Sequence, residues 1–384
     1  PDSNPEFQQA RSLGLKQTKY AQLLGQVMQE RLGIAVSGTH GKSTTTAMTS
    51  FALLQCGADP SFVIGGTVPQ LGGSSRSGAG RAFVVEACEF DRSFHNYHPH
   101  VAIITNIETD HLDCYPGGIE EIIQSFRTFA QHVSPDGLII ANGQDPHVRQ
   151  ALAGLTTRIE WIGLDDPQSL DWSVQITGLE HGCYYGDVYH NGQRVTQIRL
   201  GLAGRHNAFN ALATLAACTA AGVAPTDAAA ALARFTGVDR RMTELGSYNG
   251  AILVDDYGHH PTEIRTTLRA IREKYNPARL ICIFQPHQHS RTRSLFDQFA
   301  TAFTDADIVI LPDIYAARDS EADKRSVSSK DLVDRIIQNG QRALHLPQFP
   351  HILEWLRKEA HPGDLIITMG AGNVCEIGCQ LLGR

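Results

Sequence analysis

The sequence predicts an α/β protein. It reads as a phosphate-loop central domain with a mainly parallel sheet plus a small antiparallel sheet, followed by a Rossmann-like α/β domain. Three observations predict this. Short apolar runs that end in polar residues alternate with amphipathic segments, the pattern of buried parallel strands delivering polar groups at their C-terminal ends. The stretch Gly38-Thr39-His40-Gly41-Lys42-Ser43 lies between one such run, Ile34-Ala35-Val36, and a segment with Ala47, Met48, Phe51 and Leu54 at helical spacing. Beyond Thr236-Gly237 a fresh strand and helix alternation begins, and 384 residues exceed one ordinary core.

Residues 1–19 are polar, with a short apolar patch at Leu13 and Leu15 that is too small for a domain. From Tyr20 to Leu32 the residues Leu23, Leu24, Val27, Met28 and Leu32 follow helical spacing and lead into the first strand. After the loop helix, which ends at Gly57, apolar runs at 82–85, 101–104 and 138–140 read as strands, and Ile119 to His132 reads as a helix. Residues 158–202 shift to short alternating strands around Gly182 and Asn191-Gly192, predicting the small antiparallel sheet at the edge of the main one. Helices resume over 207–221 and 227–235. In the second domain, strands at 251–254, 280–284, 307–311 and 364–368 alternate with helices near 261–273, 292–303, 330–338 and 352–358.

Composition excludes several classes. No apolar run approaches the roughly 20 residues that cross a bilayer, so no membrane insertion is expected. The net charge of −7 comes with interspersed signs rather than a basic block, which argues against nucleic acid as a partner. The eight cysteines are scattered without zinc spacing, consistent with reduced thiols and a cytoplasmic location. The chain opens Pro1-Asp2-Ser3-Asn4-Pro5, without an initiator Met or a signal peptide, and reads as sequence from within a longer protein.

The chemistry-bearing residues fall in clusters. In the loop at 38–43, glycines let backbone N–H groups curl around a polyphosphate, the helix start adds partial positive charge, and Lys42 reaches the terminal phosphates. Ser43 is placed for Mg2+, and Val36 stands where the full pattern has another glycine. Glu86 closes a strand, Glu89 and Asp91 follow, and Asn106, Glu108, Asp110, His111 and Asp113 crowd another strand end. Carboxylates and imidazole there suit Mg2+ on nucleotide phosphates, or form a solvated acidic rim. Asn207 and Asn210 open a helix, as readers of an adenine edge or as an ordinary cap. Asp255 to Glu263 follows a strand, with an acid for a ribose hydroxyl and Tyr257 and His259 for an anion. Arg291 and Arg293 at a helix start suit anion recognition or are surface cations, and Arg240-Arg241 sits at the domain junction. Gly370 to Asn373 reads as helix packing.

With GTHGKS, TNIETDHLD, GRHNAFNA, DDYGHHPTE and QPHQHSRTR in this order, the chain resembles the Mur ligase family over nearly its whole length. The resemblance implies three domains: 1–19 as the end of an N-terminal domain that grips a uridine nucleotide, 20–236 as the ATP-binding domain, and 237–384 as the C-terminal domain. It implies ATP and Mg2+ as cofactors, and an amide-bond ligase that joins L-alanine to UDP-N-acetylmuramate through an acyl phosphate. Other readings are a ligase that attaches a recycled murein tripeptide to the same nucleotide sugar, and a nucleotide-binding fragment without ligase activity. By the resemblance, Gly38, Thr39, His40, Gly41 and Lys42 cradle the phosphates, with Lys42 on the γ-phosphoryl group. Ser43, Glu86 and His111 hold metal. Asn207 and Asn210 face adenine, Asp256 the ribose, Arg241 the phosphates, and Tyr257, His259 and Arg291 the acyl intermediate and amino acid. Ser43 replaces a more usual Thr, Glu86 to Asp91 is less acidic than the family run, and Gln288 stands where Arg is frequent.

Overall fold

The computed structural model describes residues 4–384; Pro1 to Ser3, part of the expected N-terminal remnant, lie outside the described residues. A large sheet is built from β1 (Leu32–Ser37), β2 (Ser61–Val68), β3 (Gly73–Arg76), β4 (Ala82–Glu86), β5 (Val101–Ile104), β6 (Leu138–Asn142), β7 (Arg158–Leu164), β8 (Trp172–Glu180), β9 (Cys183–His190) and β10 (Gln193–Ala203). Their spatial order is β10-β9-β8-β7-β6-β5-β1-β4-β2-β3. The strands from β8 through β2 run parallel, and β3, β9 and β10 add antiparallel edges. Strand β1 sits between β5 and β4, where the order reverses, and loops at such a switch point open into a crevice.

The strands expected as a small antiparallel sheet at the edge of the main one lie at that edge and are hydrogen-bonded into it. Ile162 to Leu164 of β7 pair in parallel with Trp172 to Val174 of β8, and the buried Trp172 indole donates to Glu160 across the junction (2.8 Å). Tight turns then fold β9 and β10 onto β8, with positive φ at His181-Gly182 and Asn191-Gly192, as two-residue hairpin turns require.

Side-chain alternation gives the sheet two cores. Ile34 and Val36 face one way, against the helices Lys42–Gln55, Arg205–Ala220 and Pro225–Leu232. Ala35 and Val85 face the other way, against Tyr20–Gln29, Ile119–Gln131 and Pro146–Leu152. In the helix Arg205–Ala220 the residues Ala208, Ala211, Ala213, Ala216 and Ala217 are all buried, and their small size lets it pack closely on sheet and phosphate-loop helix together.

The second sheet contains β11 (Thr243–Tyr248), β12 (Ala251–Asp256), β13 (Arg279–Phe284), β14 (Ile308–Leu311), β15 (Ala343–His345) and β16 (Asp364–Met369), in the order β11-β12-β16-β13-β14-β15. All pairs are parallel except the β11–β12 hairpin, which turns at Asn249-Gly250. Strand β11 was absent from the sequence reading, although Asn-Gly before an apolar run is a hairpin signal. The single helix expected at 292–303 is two short ones, His289–Ser294 and Phe296–Phe299, because Leu295 leaves helical angles and drops into the core. No described helix is long and apolar enough to cross a membrane.

Candidate active site

The chain leaves β1 and turns at Gly38 (φ 132°) and Gly41 (φ 84°) before entering the helix Lys42–Gln55. Only glycine fits either position. A Cβ on Gly38 would lie 2.0 Å from Thr105 Oγ1, and one on Gly41 would lie 2.9 Å from Asn210 Oδ1 in a left-handed conformation. Val36, where a further glycine was expected, is still inside β1 and pairs with Glu86 and Ile103. The short loop is therefore cut at the strand. Residues after β5 brace it from the side: Asn106 Oδ1 accepts the His40 N–H (2.8 Å), Thr105 Oγ1 donates to His40 O (2.6 Å), and Thr39 N–H donates to Asn106 O (3.0 Å). The first helical turn keeps N–H groups without intrahelical partners, the usual anion-binding end of a helix.

Lys42 folds back over the loop. Its Nζ donates to Gly38 O (2.6 Å) and Thr39 O (3.0 Å) and pairs with Glu89 Oε2 at 2.9 Å. Burial opposes the ammonium charge, but Glu89 and its neighbours win and raise its pKa. Glu89, expected in a carboxylate cluster suited to Mg2+ or in a solvated acidic rim, is buried here and also lies 3.8 Å from His111 Nε2. His111 sits at positive φ, with its Nδ1 buried and unpartnered. Glu86, at the end of β4, accepts the Gly65 N–H (2.8 Å). Ser43 hydroxyl and Glu86 carboxylate are oxygen donors of the kind Mg2+ takes, and His111 adds an imidazole whose Nδ1 is open.

A cavity of about 580 Å³ opens beside the loop, between the two sheets. Of the expected residues, His40, Gly41, Ser43, Asn207, Asn210, Arg241 and Asp256 line it. Asn207 donates to Ala203 O (2.7 Å) and accepts from Asn210 (3.2 Å), which fixes both amides. Asp256 spends its oxygens on the N–H groups of Gly258 (2.7 Å) and Met242 (2.8 Å), and burial pushes its carboxyl up to about 6. Arg241 reaches Glu263 at 3.5 Å. His206, a lining residue missed in the sequence, holds a buried, unpartnered Nδ1. Burial and the Arg241 charge lower its pKa to about 4.

Tyr257, expected at the acyl intermediate, does not line this cavity; its ring lies near the Arg240 and Arg241 guanidinium groups (5.0 and 5.4 Å) and His259 (5.5 Å). Burial, aided by Arg291, lowers the His259 pKa to about 3. Arg291 and Asp110 form a buried ion pair at 2.9 Å that joins the second domain to the loop after β5. Both, with His111, line a second cavity of about 270 Å³. Glu108 and Glu263 also bridge the domains: Thr262 Oγ1 donates to Glu108 (2.7 Å), and Glu263 Oε1 lies 3.4 Å from His40 Nδ1. Glu263 had a local signal, three residues after the His260 cap and two after Pro261. Glu89 and Glu108 had none beyond their place at strand ends.

Residues 36–218 match the Mur ligase middle domain and residues 240–372 the Mur ligase glutamate ligase domain. The UDP-N-acetylmuramate–L-alanine ligase of Caldanaerobacter subterraneus subsp. tengcongensis is 42% identical over 383 residues, covering 99% of this chain and 82% of the relative. That of Acetivibrio thermocellus is 43% identical over 380 residues, covering 99% and 80%. Among solved structures, the UDP-N-acetylmuramate-alanine ligase of Thermotoga maritima superposes with a TM-score of 0.82 at 24% identity, over 100% of this chain and 83% of that one. A murein peptide ligase from Psychrobacter arcticus gives 0.72 at 28%, over 100% and 83%. With both matched domains in order around one cleft, the chain belongs to the Mur ligase family.

Proposed function

We propose that this chain carries the catalytic domains of an ATP-dependent ligase that joins L-alanine to UDP-N-acetylmuramate, a cytoplasmic step in making the peptidoglycan precursor. The observation that carries the reading is the single cleft lined by Gly41, Ser43, Asn207 and Asn210 on one side and by Arg241 and Asp256 on the other. Relatives about 40% identical, all bearing the alanine ligase name, support the acceptor. We assign 20–236 to ATP binding, 237–384 to the C-terminal domain, and 1–19 to the end of a preceding domain.

A carboxylate is a poor electrophile, so its activation as an acyl phosphate is the reason for ATP. The phosphate loop holds the polyphosphate, and Lys42 exchanges Glu89 for the γ-phosphoryl oxygens as charge develops there. Ser43, Glu86 and His111 would hold Mg2+, which neutralises phosphate charge. Asn207 and Asn210 present amide edges to adenine, and Asp256 and Arg241 meet ribose and phosphate. Arg291, which lines the second cavity, orients the acyl group and the incoming amine together with His259 and Tyr257. Because the site is shared, domain closure excludes water from the acyl phosphate.

The test is phosphate release from ATP by this chain and by a version extended to the relatives' full length. Each is given UDP-N-acetylmuramate with L-alanine or with murein tripeptide. Release that requires L-alanine supports the assignment. Release only with tripeptide moves the chain to the recycling ligase, and binding of ATP without release by either chain overturns the ligase reading.

A further inference from the structure

Between the two domains, outside the residues assigned to Mg2+, three side chains from three segments converge. His40 comes from the phosphate loop, Glu108 from the loop after β5, and His260 caps the helix Pro261–Tyr275 in the second domain. One ligand atom from each lies within 4.8 Å of the others, the one such trio of His, Cys, Asp or Glu among the described residues. Glu108 Oε2 stands 3.7 Å from His40 Nε2 and 3.8 Å from His260 Nδ1. These spacings are too long for hydrogen bonds. Both His40 nitrogens are buried without a hydrogen bond of good geometry, and each instead faces a carboxylate, Glu108 at 3.7 Å and Glu263 at 3.4 Å.

We propose that His40, Glu108 and His260 form a transition-metal site joining the two domains, which takes Zn2+ or a cation of similar softness. Ligands about 2.0–2.1 Å from a tetrahedral ion are about 3.4 Å apart, so the two edges at Glu108 close by a few tenths of an ångström, and the His40–His260 edge, which is within 4.8 Å, closes by at most about 1.4 Å, a side-chain adjustment. Two imidazoles and one carboxylate with a fourth position open are a zinc donor set, whereas Mg2+ prefers oxygen ligands in an octahedron.

The surrounding contacts orient the ligands. Thr262 Oγ1 donates to Glu108 Oε2 (2.7 Å), and His260 Nε2 faces Thr109 O (3.2 Å), which leaves Nδ1 toward the trio. His40 Nδ1 faces Glu263 Oε1 (3.4 Å), the carboxylate behind a metal-bound imidazole that zinc sites commonly carry. Binding displaces only the long contact from Thr262 N–H to His260 Nδ1 (3.3 Å). Because the ligands span both domains and include the phosphate loop, the ion holds the cleft in its closed arrangement. Without an ion, the same groups make a protonated His40 bridge between Glu108 and Glu263, and the test separates the two.

The proposal does not depend on the ligase reading, since its readout is binding. The full chain, stripped with a chelator, is titrated with Zn2+ by calorimetry in excess Mg2+, and with Co2+ by visible absorption. Circular dichroism checks the fold of each variant. One Zn2+ per chain is expected, weakened about tenfold or more in His260→Ala and in Glu108→Gln, with a Co2+ spectrum of tetrahedral intensity and no thiolate band. Absence of stoichiometric binding overturns the site. So does equal affinity in both variants, or a thiolate band marking capture by the eight cysteines.

Discussion

Replacing Lys42 tests the structure and the chemistry together, because this lysine has a structural partner. Its side chain is 12% exposed and that of Glu89 4%, with the charges 2.9 Å apart. Lys42→Met keeps the aliphatic stem but leaves the Glu89 carboxylate buried without its cation. Breaking a buried pair from one side costs about 3–5 kcal/mol. The rim exposure of Lys42 and the nearby His111 imidazole, 3.8 Å from Glu89, bring this toward about 2–3 kcal/mol. At about 2–4 °C per kcal/mol for a domain of this size, the melting temperature falls by about 4–12 °C. Glu89→Gln in the same chain removes the stranded charge and restores most of the loss, while phosphate release stays abolished because the cation is still gone. Calorimetric melting and an ADP-release assay on both variants read the two effects separately. A Lys42→Met protein that melts with the parent, or a double variant no more stable than the single one, refutes the buried-pair argument. Turnover near the parent rate refutes the catalytic role.

Three further outcomes follow from the same geometry. Asp110→Asn and Arg291→Met each leave a buried partner uncompensated and cost about 3–5 kcal/mol in urea unfolding, whereas the double variant costs clearly less than their sum; strict additivity would falsify a coupled interdomain pair. His206 is neutral in the fold, with its pKa lowered to about 4 by burial and Arg241, so the unfolded chain binds the extra proton. Its contribution is full above the unfolded value near 6.5 and lost as pH falls toward 4. Between pH 7 and 5 this amounts to about 2 kcal/mol. His206→Phe should flatten the acid side of the stability curve, and a curve of unchanged steepness counts against the assignment. Gly38→Ala places a Cβ 2.0 Å from Thr105 Oγ1 at a φ of 132°. It should cost about 1–3 kcal/mol and weaken ATP binding measured by calorimetry; retained affinity would show that the loop tolerates movement.

The parallel cores were legible because they repeat at short range. Val101 to Ile104 is a four-residue apolar run and became β5, and the Ile119–Gln131 helix lies one residue short of the span read from its pattern. Strands β2 and β3 were not legible: Gly65 and Gly66 interrupt the apolar pattern, yet their absent side chains leave room for Glu86 and Val238, whose atoms a Cβ would meet at 2.5 and 2.8 Å. At the site, the clusters singled out Lys42, Asp256 and Arg291 as candidates, but not the residues they contact, Glu89, Met242 and Asp110. Asp256 and Tyr257 are adjacent in sequence, yet Asp256 closes β12 and lines the large cavity while Tyr257 lies beyond the strand against Arg240 and Arg241.

By itself the sequence determined where the chain must turn and which faces must be buried. Positive φ at Gly38 and Gly41, the apolar periods and the hairpin turns are requirements met within a few residues, so a linear reading reaches them. Tertiary structure alone decided that β8 to β10 extend the main sheet, that Glu89 guards Lys42, and that Asp110 meets Arg291. Those partners stand 47 and 181 residues apart. A charge is stabilised by whatever lies within a few ångströms of it, and sequence separation says nothing of that distance until the two sheets have packed.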